Sequence, residues 1–265
     1  MTSVLDSSPI SVVDALRGDR STRPVADTTS GAGLRALLED GIFDILGATA
    51  PSKSLVVRAS SLRQPVMVTD LTPSSHGRLR GVLVSQILRL LSVGVAVEHA
   101  FDDSVCAWRG EVGSNELIEH LDRLDDDERA RLATDVSAHC ITLTRSLGSI
   151  PPHWSPRSAV RMTQRLAGGS VILRDVIDLM IGTLDSDVAS VALFDVTTAP
   201  LGEGAERAMR YHALTQTLRT SIVPLRTCTF SSATGELWIR DVDQELLTRS
   251  VNEVLACVND QWSSR

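Results

Sequence analysis

At Ser149-Ile150-Pro151-Pro152 the apolar pattern of this 265-residue chain changes period. Upstream, apolar residues recur at helical spacing; downstream they alternate as half-buried strands do. Val160, Met162 and Leu166 mark a strand over Ala159–Leu166, and Ala167-Gly168-Gly169 is a hairpin turn signal. The return strand is expected over Val171–Ile181, ending at Gly182, and a third strand over Ser190–Thr197. A helix over Glu203–Leu218 follows, then a strand pair, Ser221–Phe230 and Glu236–Val242, around Ser231–Gly235. Asp243 opens a last helix that runs to about Val258. This order predicts a mixed α/β (α+β) fold rather than a bundle or an all-β sandwich.

Before the boundary the chain reads as helices. Leu34, Leu37, Leu38, Ile42, Ile45 and Leu46 give an amphipathic helix over Gly33–Gly47, with a break expected at Gly41. Leu55-Val56-Val57 predicts a short strand within Ser52–Ser60, and Pro73–His76 a break. Arg78–Val97 is an apolar helix expected to be buried on most sides. Asn115–Leu124 is a short polar helix. Asp125 and Asp126 then open a longer one to about Leu147, with Gly148 at its C-terminal cap. Residues 1–30, rich in Ser, Thr, Asp, Arg and Pro, read as a flexible tail or docking arm in which only Ile10–Leu16 forms a brief turn. The expected organisation is therefore a tail over 1–30 and a single domain over 31–265. Within that domain, 31–148 is a helical part wrapped around a sheet-containing core, 149–265.

Composition narrows the function classes. Hydrophobic residues make up 43% and there is one Tyr, so the core is built mainly from Leu, Val, Ile and Ala. A net charge of -7 and a pI near 5.4 mean that any nucleic-acid contact needs a local basic patch or a bound metal. Arg157, Arg161 and Arg165 alternate along one strand and form a basic stripe, either a solvated edge face or a contact surface. Cys106, Cys140, Cys228 and Cys257 form no CxxC pair and fit a reducing compartment. The start of the chain lacks the pattern of a signal peptide and no run is long enough for a membrane span, so a cytoplasmic protein with no membrane partner is expected.

The order of elements and four short motifs resemble the αβββαβ core of the PD-(D/E)XK nuclease superfamily, RecB-type. The return strand places Asp178 at the first acidic position, within Val171–Gly182, and the next strand places Asp195 at the second. Thr197 stands where the family carries its lysine, and Tyr211 matches the family's helix tyrosine, with Arg207 where a glutamine is often found. Gly81-Val-Leu-Val-Ser85 is the best match to a Gly-x-x-x-His motif, with serine for the metal-binding histidine.

The resemblance covers roughly the last two-fifths of the chain well and implies a site built on Asp178, Asp195, Thr197 and Tyr211. It implies Mg²⁺ or Mn²⁺ on Asp178 and Asp195, and the cysteine spacing gives no support for an iron–sulfur cluster. A divalent ion would activate water and neutralise developing charge, and the lysine would orient that water. Threonine keeps a hydroxyl without the charge, and losing one such group costs about 10²–10³ in rate. The resemblance therefore implies a degenerate nuclease-like protein with impaired catalysis, binding DNA or a protein partner. Two alternatives stand beside it. One is an active Mg²⁺- or Mn²⁺-dependent DNA nuclease with a displaced basic residue, for which Arg161 and Arg174 are candidates. The other is an unrelated α+β protein-interaction domain, in which Asp178 and Asp195 would not converge.

Overall fold

The computed structural model describes residues 12–18, 23–47, 53–63, 75–111, 116–148, 150–185 and 187–264. Ile10, Pro73 and Ser149 lie outside them. In chain order the elements are α1 (Val12–Arg17), α2 (Ser30–Leu46), β1 (Leu55–Arg58), α3 (Ala59–Arg63), α4 (Ser75–Ser92), α5 (Ala100–Glu111), α6 (Glu116–Asp122) and α7 (Asp126–Leu147). They continue with β2 (Arg157–Leu166), β3 (Val171–Ile181), β4 (Ala192–Thr197), α8 (Glu203–Thr220), β5 (Arg226–Ser231), β6 (Leu237–Asp241) and α9 (Gln244–Ser263). The fold is mixed α/β. No helix among the described residues is long and apolar enough to cross a membrane.

The sheet runs β1-β3-β4-β5-β6, with β2 paired to the other edge of β3. β3 is antiparallel to β2 and β4 and parallel to β1, while β4 and β5 are parallel. Helices cover both faces. α1 and α4–α7 share one apolar core with the far end of β3 and with β4 and β5; α2, α8 and α9 share another with β1 and the start of β3. The central strands β4 and β5 therefore bury both faces, which the continuous apolar run Val191–Phe194 reflects, whereas β2 and β6 stay partly exposed.

Local chemistry fixes several boundaries. Asp125 and Glu128 form a reciprocal capping box at the start of α7, so the acidic run there is a helix start. Asp243 accepts from the Leu246 amide and opens α9. α2 is continuous through Gly41, contrary to the expected break. A Cβ on Gly41 would lie 2.6 Å from Leu255, so glycine is there to let α9 approach closely.

Other expectations are corrected too. α4 ends at Ser92 rather than Val97, and β5 starts at Arg226 rather than Ser221. Ala100–Glu111, for which no element is expected, is α5, with Phe101, Val105 and Trp108 buried against α4 and α7. The first thirty residues are not all tail: Leu16 of α1 is fully buried in the main core, and Val25 bridges to Val188. The helical segment before residue 149 also supplies β1, so the sheet draws on both parts of the chain.

Candidate functional site

β3 carries two different neighbours along one edge, and the gap between them makes the site. β1 pairs with it from Leu55↔Val171 to Arg58↔Arg174, and β4 pairs with it only over Leu179–Ile181. Residues 175–178 have no ladder partner in either strand. The carboxyl ends of β1 and β4 both run into this gap, the kind of place where sheets open to ligands. An open cavity of about 520 Å³ lies there, within the usual range of ligand sites.

The β3–β4 register, extended by one pair past Leu179↔Phe194, sets Asp178 opposite Asp195. The two carboxylates thus converge, and both line the cavity. Asp178 accepts the Val196 amide at 2.9 Å, which replaces the next ladder bond and closes the pairing. Ser85, from α4, donates to its other oxygen at 3.4 Å. Like charges directly opposite repel, and the structure answers this with cations rather than with distance. The Arg63 guanidinium, at the end of α3, hydrogen-bonds Asp195 in a close ion pair. His212 of α8 lies 3.5 Å from the other Asp195 oxygen.

His212 also reaches Asp175, Nδ1 to Oδ2 at 2.8 Å, and the same oxygen accepts from the Thr215 hydroxyl at 2.7 Å. Residues three apart on a regular strand point to opposite faces, yet Asp175 and Asp178 serve one cluster. β3 turns its side chains over between them. Val171 and Leu173 enter the α2/α8/α9 core, whereas Leu179 and Ile181, of the same parity, enter the other. Ala159, at the β2 position facing Asp178, has φ 49°, outside strand geometry.

The charges are set by this packing. Burial and the neighbouring Asp195 raise the Asp178 pKa well above the carboxylate range. Burial pushes Asp195 the same way, but Arg63 and His212 outweigh it and hold its pKa below normal. Burial alone would neutralise His212; the Asp175 charge and hydrogen bond, then Asp195, overcome it and raise the pKa to about 10. Two buried carboxylates, Asp175 and Asp195, are therefore matched by two cations, His212 and Arg63.

With Arg63 and His212 on its oxygens, Asp195 is not free to take a divalent ion. Serine stands beside Asp178.

Thr197 lines the cavity, with its hydroxyl accepting the Ala199 amide at 3.2 Å. Tyr211 belongs elsewhere. It is fully buried, donates to the Val57 and Arg174 carbonyls at 2.9 and 3.1 Å, and does not line the cavity. It bolts α8 under the β1–β3 pair, so its place is structural and the expected site role is corrected.

Arg161 and Arg174 are exposed on the cavity wall, as is Arg58. Sequence reasoning missed Arg63, Asp175 and His212. The available signals were a histidine directly after Tyr211 on a helix of low hydropathy, and an aspartate three residues before Asp178. Nothing local marks Arg63.

No protein-family model and no curated protein matches the chain. Among solved structures it is similar to the crystal structure of SSO0001, at 7% identity over 86% of each chain, with a TM-score of 0.31. A likeness at that level carries no argument about fold family or function.

Proposed function

We propose that this chain is a PD-(D/E)XK-like protein whose carboxylate site holds an anionic nucleic-acid backbone without cutting it. The observation that carries this reading is that Asp195 is taken up by Arg63 and His212, side chains of the protein itself. A carboxylate so paired is a poor ligand, because a metal would first have to break the ion pair with Arg63 and disturb the buried His212 beside it.

The cavity wall supplies the other half of the reading. Arg58 and Arg174 are direct cross-strand neighbours, and Arg161 sits one row further along β2 and β3, opposite Val176. All three are exposed, and none makes an ion pair among the described residues. Like charges paired across strands destabilise a sheet unless a counter-ion screens them. Guanidinium forks match phosphate oxygens geometrically. Val176, half exposed between them, offers an apolar contact to a sugar or base. In a chain of net charge -7, such a patch concentrates attraction at one place.

The test is fluorescence anisotropy of labelled single- and double-stranded oligonucleotides in EDTA. The wild type is expected to bind with an affinity that falls as salt rises. The double variant Arg161→Ala/Arg174→Ala is expected to lose about tenfold or more and to flatten the salt slope by about 1.4–1.8, two phosphate contacts' worth. Absence of binding at low salt, or binding indifferent to the double variant, would remove the reading.

A further inference from the structure

We infer that Arg63 is a built-in counter-cation standing where a divalent ion would sit, and that removing it uncovers a cation site on Asp178 and Asp195. The inference rests on the reading of these two residues as a nuclease-like carboxylate pair. It goes beyond that reading by assigning the loss of metal binding to one residue outside every motif of the family.

The geometry is specific. Arg63 is the last residue of a five-residue helix that directly follows β1, so the end of β1 at the sheet gap delivers it to the site. Its guanidinium contacts Asp195, while its side chain keeps 36% of its surface exposed toward the cavity. Its Nε, by contrast, is buried and has no hydrogen-bond partner. The guanidinium therefore lines the same cavity as the two carboxylates and occupies an oxygen of Asp195 there.

The backbone of Arg63 is fixed independently. At the start of α8, a Cβ on Gly204 would lie 2.5 Å from the Arg63 carbonyl oxygen. Glycine there lets the start of α8 pack directly against the end of α3, which holds the Arg63 backbone in place. With the guanidinium gone, two facing carboxylates remain with His212 as their one near cation. Asp178 then competes for Asp195 only through a shared proton, which a divalent ion displaces.

The experiment titrates the full chain with Mn²⁺ and follows free Mn²⁺ by electron paramagnetic resonance, with circular dichroism as the folding control. The wild type is expected to show no site that depends on Asp195. Arg63→Gln is expected to gain one site at least about tenfold tighter than anything in the wild type, lost again in Arg63→Gln/Asp195→Asn. Arg63→Lys, which keeps a cation, is expected to stay closed.

Should Arg63→Gln not fold, Arg63→Met decides, since it keeps much of the side chain's length without its charge; it is expected to gain the site. Two results overturn the inference: an Asp195-dependent Mn²⁺ site in the wild type, or folded Arg63→Gln or Arg63→Met protein that binds no more Mn²⁺ than wild type. Because the readout uses Mn²⁺ alone, failure of oligonucleotide binding is a separate event and sinks only the nucleic-acid reading.

Discussion

Asp175→Ala is expected to lower the stability of the protein by about 3–5 kcal/mol, measured by urea unfolding near pH 7, because it strips the partner from a buried cation. Asp175 is 5% exposed and satisfies three donors: the His212 imidazole, the Thr215 hydroxyl and, through its other oxygen, the Val176 amide. Alanine removes this acceptor from all three; the Thr215 hydroxyl keeps the Tyr211 and His212 carbonyls, so the loss falls mainly on His212. Asp175→Asn keeps an acceptor for two of them and is expected to cost less.

The same contact gives stability a pH dependence of defined sign. His212 has its pKa raised to about 10 from 6.5, so the folded state holds a proton that the unfolded state releases. The contribution is complete below about pH 6.5 and drains away as pH rises through about 10. Wild-type unfolding midpoints should therefore fall across that window. In Asp175→Asn the fall should be much smaller, since the largest opposing influence on His212 has gone.

Gly182→Ala is expected to cost about 2–5 kcal/mol, combining strain from φ 99° with overpacking. A Cβ there would lie 2.3 Å from the Ser190 carbonyl oxygen, a backbone atom that cannot swing aside. The same glycine donates to the Trp154 carbonyl at 2.7 Å and accepts from Arg157 at 2.9 Å, so any shift also breaks the tie that holds the end of β3. Gly168→Ala is the matched control. It too has a positive φ, 64°, but meets nothing within 4 Å, and should cost about 1 kcal/mol. Thermal and urea unfolding of the two variants separate the clash from the backbone preference.

The central strands were legible because period-2 patterning survives in them. Val171–Ile181 is bounded by the same residues in sequence and structure, and the Ala167-Gly168-Gly169 turn lies where expected. Asp178 and Asp195 could be picked out as acids on adjacent antiparallel strands, and the register brings them opposite. The rest of the cluster was hidden for physical reasons. Alternation assigns Asp175 and Asp178 to opposite faces, and only the turnover of β3 beside the positive φ of Ala159 unites them. Arg63 arrives through the pairing of β1 with β3, a contact between residues more than a hundred positions apart. α8 is low in hydropathy, yet Ala208–Leu218 are all buried, because the sheet, α2, α3 and α9 enclose it. Tyr211 illustrates the converse: motif position suggested chemistry, and packing made it a strut.

The most direct test of the account is a cleavage assay on single- and double-stranded DNA in Mn²⁺, run with the wild type and with Asp195→Ala. Intact DNA is expected with both folded proteins, because Asp195 is already taken up by Arg63 and His212. Cleavage by the wild type that disappears in Asp195→Ala would contradict it, and would make Arg63 a displaced catalytic cation instead of the residue that closes the site.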